Sequence, residues 1–277
     1  MLFWCNHLTD RKVCNQSTYM KLTVIGAGNM GGAIARALAG GTYFQSSDIT
    51  CTARSAETLN RYQDKFSVTS DNRKAVREAD VIVFAVKPWL MEEVVRDVAC
   101  EIDPSRHIII SAAAGVTFGQ LYEWSGCKSA TIFRVIPNTA IEVGSGVTFI
   151  SSCNADASQR AMVSGMFGET GYVQEVDEDM MAAGTALASC GIAYAMKYIH
   201  AAAEGGCVLG FDREQALRIV EHTVRGAAEL LLSTGNLPQV EIDKVTTPGG
   251  MTARGLAAME ESGFSDSVVD GIKGSLK

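Results

Sequence analysis

The residues best placed to do chemistry stand in one short stretch. Lys21 to Gly32 reads KLTVIGAGNMGG, an apolar run of strand type that ends in Gly26-x-Gly28-x-x-Gly31. Each glycine has a separate physical use. Gly26 allows the tight turn after the strand, Gly28 lets the backbone approach a pyrophosphate, and Gly31 lets the next helix pack closely on the sheet. Around them Ile25, Ala27, Asn29 and Met30 complete the turn, and the helix formers Ala33 to Ala39 follow. The N–H groups that open such a helix suit an anion. At the end of the next apolar run, Ile49 to Ala53, an NAD-selective site would carry a carboxylate for the ribose 2′-hydroxyl. This chain has Ala53-Arg54-Ser55 instead. A guanidinium and a hydroxyl suit a 2′-phosphate through charge-assisted hydrogen bonds, so NADPH is expected, with NADH less preferred. A plainer reading stays open, with Arg54 a solvated charge and Ser55 a helix cap. Two further strand ends, Ala85-Val86-Lys87-Pro88 and Ser111-Ala112-Ala113-Ala114-Gly115, fall at the carboxyl edge where open α/β sheets bind ligands. Lys87 suits phosphate or ribose, and the alanines are small enough for a flat ring to lie against the backbone.

The elements that must position these residues alternate. Strands are predicted at Ile49 to Ala53, Val81 to Val86, His107 to Ala112, Thr131 to Ile136, Val147 to Ser151 and Tyr172 to Val176. Helices are predicted from Ser55 to Phe66, near Trp89 to Cys100, Thr117 to Trp124 and Asp156 to Phe167. That rhythm indicates a Rossmann-type, doubly wound, mostly parallel sheet over residues 20–177. From Glu178 the sequence turns Ala-rich and helical, with one long helix over Met180 to Val208, another opened by Asp212-x-x-Gln215, a shorter one led by Pro238, one after Gly249-Gly250, and a last one capped by Ser265. Residues 178–277 thus read as an all-helical unit. Its apolar faces exceed what its own packing needs, so it is expected to be a dimerisation domain.

Composition narrows the function. The chain has 277 residues, 47% hydrophobic and 20% charged, with a net charge of −7. No basic cluster interleaved with aromatics offsets that charge, which argues against nucleic acid. No run is long and apolar enough for a membrane span. The eight cysteines form no C-x-x-C pair and the four histidines no ligand spacing, so reduced thiols in a cytoplasm and no metal are expected. Residues 1–19 lack the pattern of a signal peptide and read as a disordered extension, with translation starting at Met20.

Several motifs together resemble the pyrroline-5-carboxylate reductase family: VIGAGNMG at 24 to 31, AVKP at 85 to 88, SAAAGV at 111 to 116, Pro137-Asn138-Thr139, and VTTPGGMT at 245 to 252. The likeness runs from Met20 nearly to the last residue. It implies that NADPH delivers a hydride to C5 of a cyclic imine, 1-pyrroline-5-carboxylate, giving L-proline. It adds Asn72 near the adenosine ribose and Asn138 near the nicotinamide to the cofactor residues named above. For substrate it implies the backbone N–H groups of Gly250 and Met251 and the hydroxyls of Thr247 and Thr252, with Thr252 positioning the ring nitrogen. It also implies interlaced homodimers through the C-terminal helices, commonly in larger rings. One segment departs from the family pattern: where Ser-Gly-Ser-Gly-Pro-Ala-Tyr is usual, this chain has Ala188-Ser189-Cys190-Gly191-Ile192-Ala193-Tyr194. Without the proline, that helix should run more continuously. Another NADPH-dependent reductase of the same plan, a β-hydroxyacid dehydrogenase using Lys197 or an imine reductase for another ring, is the second enzymatic reading. A cofactor-binding homologue without turnover is the third.

Overall fold

The computed structural model describes residues 20–276; the extension expected over residues 1–19 lies outside them. Strands β1 (Leu22–Ile25), β2 (Ile49–Thr52), β3 (Ser67–Thr69), β4 (Val81–Phe84), β5 (Ile108–Ser111), β6 (Thr131–Pro137), β7 (Gly146–Cys153) and β8 (Gly171–Glu175) form one sheet in the order β3-β2-β1-β4-β5-β6-β7-β8. Every pairing is parallel except β6 with β7. Strand order reverses at β1, which pairs with β2 on one side and β4 on the other. The carboxyl ends of β1 and β4 therefore flank a crevice that no strand fills, the place where doubly wound sheets take ligands.

Alternate residues of the central strands feed two separate cores, which is why these strands read as continuous apolar runs. On one face Leu22, Val24, Val81, Val83, Ile108 and Ile110 pack with Ile34 and Leu38 of α1 (Asn29–Ala39). On the other, Ile25, Ile82, Phe84 and Ile109 pack with residues of the helices named next. After α2 (Ala56–Asn60), these are Val76 of α3 (Asn72–Glu78), Met91 and Val95 of α4 (Met91–Val98), and Leu121 of α5 (Phe118–Ser125). Val163 and Phe167 of α6 (Ala157–Gly168) belong to the first core. Cys51 is wholly enclosed there, and burial pushes its thiol up to about 12, so it packs as a small hydrophobe and stays unreactive.

The remaining chain is helical: α7 (Met181–Gly184), α8 (Gly191–Val208), α9 (Arg213–Thr234), α10 (Pro238–Lys244), α11 (Met251–Glu261) and α12 (Phe264–Gly274). Small residues bring α8 and α9 together, since a Cβ on Gly206 would stand 2.9 Å from that of Ala216. Yet Ala203 and Ala216 are the only buried residues from 191 to 276, while Val208, Leu232 and Met251 are more than four-fifths exposed.

Several local expectations need correction. The helix expected to reach Phe66 ends at Asn60, after which the chain turns so that Tyr62 and Phe66 enter the core. β3 and α3 were not anticipated: the strand is three residues long, too short to show alternation, and α3 buries little besides Ala75 and Val76. The last helix is preceded by Gly263 at φ +76°, a left-handed position, and Ser265 lies inside its first turn. The long helix over 180–208 is unbroken but not uniform. Thr185–Cys190 forms a wide π-type turn between α7 and α8, overlapping the start of the Ala188 to Tyr194 segment whose missing proline suggested greater regularity.

Candidate active site

A cleft of about 820 Å³ lies over the switch point between β1 and β4. At its centre the glycine turn is built by backbone. The N–H groups of Gly26 and Ala27 donate to the Thr52 carbonyl at 3.1 and 2.8 Å, which fastens the turn to the end of β2. Gly26 has φ +92°, and a Cβ there would meet Val86 Cγ1 at 2.6 Å. Gly28 precedes α1 and gives its N-terminus no side-chain cap, so the first N–H groups of that helix stay free for an anion. A Cβ on Gly28 would touch nothing within 4 Å, because the space before it is the open cleft. This is the cradle a pyrophosphate requires. Behind the turn, the Tyr62 hydroxyl donates to the Gly28 carbonyl at 3.4 Å and accepts from Arg36 Nη1 at 3.3 Å.

At one end of the cleft lie Arg54, Ser55, Thr58 and Asn72. Ser55 Oγ accepts from the Thr58 N–H at 3.2 Å and caps α2, so the cap reading of this serine is structurally correct. Arg54 is exposed and has no ion-pair partner among the described residues, which leaves its charge available. Thr52 Oγ1 donates to Asn72 Oδ1 at 2.6 Å and holds that amide at the rim. Lys87, with Ala85, Val86 and Pro88, lines the middle; Ala112, Ala113 and Ala114 form a flat floor at the other end. Ile136, Pro137, Thr139 and Ser189 complete the wall there. Sequence reasoning had not placed these last residues in the site. Pro137 and Thr139 flank a motif that could have signalled them, whereas Ser189 arrives through the π-type turn, which has no sequence signature.

Two expected cofactor residues do not line the cleft. Gly31 lies behind the turn, where a Cβ would stand 2.2 Å from the Gly26 carbonyl oxygen, so its smallness serves packing. Asn138 is 7% exposed, and its Oδ1 accepts from the Ala140 and Val147 N–H groups at 3.2 and 3.3 Å. That amide shapes the bend carrying Pro137 and Thr139. The Thr247 to Thr252 bend has the expected local form, with Gly249 at φ +71° and the Gly250 N–H donating to the Thr247 carbonyl at 2.9 Å before α11 begins. Thr247, Met251 and Thr252 are nevertheless exposed, and neither they nor Gly250 line this chain's cleft. Lys197 is exposed on α8 and outside the cleft, which gives no support to a hydroxyacid reaction. Among the described residues no group of His, Cys, Asp or Glu could hold a metal, and no helix is long and apolar enough to cross a membrane.

Known proteins share this plan. Residues 178–277 match a family model described as pyrroline-5-carboxylate reductase dimerisation, and residues 21–115 match one described as NADP oxidoreductase coenzyme F420-dependent. A pyrroline-5-carboxylate reductase of Arabidopsis thaliana is 35% identical over 263 residues, covering 93% of each chain. The structure of a pyrroline-5-carboxylate reductase from Coxiella burnetii superposes with a TM-score of 0.84 at 30% identity, covering 93% of this chain and 96% of that one. The structure of Plasmodium falciparum pyrroline carboxylate reductase with NADP bound gives a TM-score of 0.85 at 28% identity, covering 93% and 95%. Likeness of this depth along both the sheet and the helical end makes the chain a member of the pyrroline-5-carboxylate reductase family.

Proposed function

We propose that this chain reduces 1-pyrroline-5-carboxylate to L-proline with NADPH, the last step of proline biosynthesis. The observation that carries the reading is the full-length likeness to pyrroline-5-carboxylate reductases. The cleft agrees with it: an uncapped helix N-terminus and an open Gly28 suit the pyrophosphate, and the free Arg54 suits a 2′-phosphate. Ile25 to Met30, Arg54, Ser55, Asn72, Ala85 to Pro88 and Ala112 to Ala114 would hold the cofactor, which when bound supplies a hydride. Gly31 and Asn138 would act by shaping the backbone around them.

The protein's part in the chemistry is placement. A protonated imine carbon is already electrophilic, so no metal or covalent nucleophile is needed, and orienting the ring over the Ala112 to Ala114 floor supplies much of the acceleration. The free N–H of Met251 at the start of α11 would take the substrate carboxylate, joined by the Gly250 N–H once it gives up the Thr247 carbonyl, and Thr247 and Thr252 would take its remaining polar atoms. Because this bend is exposed and apart from its own chain's cleft, we infer that a second copy brings it there. The exposed apolar residues of α8 to α12 favour that homodimer, and rings of dimers are compatible with it. We divide the chain into a cofactor unit, 20–177, and a dimerisation and substrate unit, 178–277. We place it in the cytoplasm, where the unpaired cysteines among the described residues would stay reduced.

Loss of NADPH absorbance on adding 1-pyrroline-5-carboxylate, with proline as product, tests the reading. Turnover of hydroxyacids with NADP and none of the imine would replace it.

A further inference from the structure

Arg134 stands inside the sheet on β6, in register with Ser111 of β5 and Ser151 of β7, and its side chain is only 6% exposed. Its Nη1 donates to Glu178 Oε1 at 2.7 Å, and that same oxygen accepts the Phe118 N–H at 2.7 Å. The guanidinium carbon lies 5.9 Å from the centroid of the Phe118 ring, and Nε has no partner among the described residues. Glu178 is 38% exposed, so the pair is buried on the arginine side only, and such a half-buried pair is a poor device for stability alone, because apolar side chains of similar volume commonly serve as well. Its distinctive effect is geometric, since a planar guanidinium and a shared oxygen allow few arrangements.

That oxygen joins separate parts of the site. β6 runs on to Ile136 and Pro137 in the cleft wall. Phe118 opens α5 after Gly115, Val116 and Thr117, which lead from the Ala112 to Ala114 floor. Glu178 begins the helical end, from which the turn Thr185–Cys190 sends Ser189 into the cleft. The helical wall is seated on β6 and β7, with Met181 and Ala186 buried and Gly184 against the Phe149 ring, and its side toward the floor is open. A cavity of about 640 Å³ separates them, lined by Gly115 and Thr117 on one side and Ala182 and Thr185 on the other, with Arg134 and Glu178 between. On that open side the polar bridge links the two, in addition to the wall's packing on the strands.

The geometry points to Arg134 and Glu178 as positioning residues that fix the distance between the nicotinamide floor and the helical wall, and so the approach of the imine, without touching either reactant. The inference rests on the imine-reductase reading for its kinetic consequence only. The test uses the full chain and the double variant Arg134→Met with Glu178→Leu, which removes both charges and keeps the volume. We expect a melting temperature within about 4 °C of the parent protein and an NADPH Kd, read from its fluorescence, within about threefold. The kcat on the imine should fall by about tenfold or more, the scale of a small misplacement of reactants. Hydrogen exchange should quicken in residues 112–118 and 185–190.

A kcat that stays with the melting temperature, an NADPH Kd that worsens as much as kcat, unchanged exchange, or a double variant that does not fold would each overturn the proposal. Parent protein that turns over no imine would reject the reaction instead, and the exchange measurement would still decide on the bridge.

Discussion

Side-chain absence at Gly28 and at Gly31 has opposite consequences, and one methyl group can separate them. At Gly28 the added carbon would project into the empty cleft with nothing within 4 Å. Gly28→Ala should therefore leave the melting temperature near that of the parent and weaken NADPH binding by about tenfold or more, roughly the loss of one charge-assisted contact. At Gly31 the carbon would stand 2.2 Å from a backbone oxygen that cannot yield, so Gly31→Ala should cost about 1 to 3 kcal/mol of stability, as overpacking does. Thermal melts and NADPH titrations of both variants check the pair; equal effects on stability would sink the distinction. Arg54→Ala belongs to the same scale. One charge-assisted hydrogen bond to phosphate contributes about 1.5 to 3 kcal/mol, and exposure with salt screening puts Arg54 at the lower end. The KM for NADPH should rise roughly tenfold, less at high salt, and that for NADH hardly at all; matching losses with both cofactors would contradict the 2′-phosphate role. These residues were legible in sequence because backbone geometry restricts which residue can stand at each position. Arg134 and Glu178 were not, since only the folded sheet brings a strand residue against one that begins a distant helix.

Elements differ in how plainly they announce themselves. The central strands are apolar on both faces and bounded by turn residues, so β1, β2 and β4 to β6 are plain in the sequence, while β7 and the edge strand β8 show as shorter apolar runs on either side of α6. β3 is a three-residue edge strand and α3 a short helix that buries only Ala75 and Val76, so neither leaves much pattern, and the wide turn at Thr185–Cys190 has no compositional mark at all. An element can also carry a pH dependence that sequence does not reveal. His107 enters β5 at 3% exposure, and its Nδ1 accepts the Asp103 N–H at 3.0 Å. Burial holds its imidazole below the ordinary histidine value. The unfolded chain therefore takes up this proton more readily than the folded one, and protonation at Nδ1 would also remove the acceptor. Stability from neutral His107 should be complete above about pH 6.5 and lost as pH falls from there toward the depressed folded value. Urea midpoints measured from about pH 7 down to about pH 5 should decline, and His107→Gln should flatten that decline. An unchanged slope in the variant would assign the decline to other groups.

At the scale of the whole molecule, a single chain holds both halves of the proposed site without bringing them together. The cleft is lined by the sheet's crevice and Ser189, while Thr247, Met251 and Thr252 stand exposed elsewhere on the chain. The helices between them display apolar side chains of the size a dimer would cover, among them Val208, Leu209 and Leu232. If a second copy supplies the bend, cofactor and substrate functions are separable between subunits. Thr252→Ala should slow imine reduction with NADPH affinity near normal, and Gly28→Ala should do the reverse. Mixed after reversible dissociation and assayed at NADPH below the raised Kd of Gly28→Ala, the two weak variants should together recover activity. In a hybrid dimer, one cleft is intact and faces an intact Thr252 from the other chain. Random pairing would then restore roughly a quarter of the parent's sites, as expected for two equivalent sites across a twofold interface. Were cleft and bend to meet within one chain, no combination of these subunits would contain an undamaged site, and the mixture would show only the average of its two components.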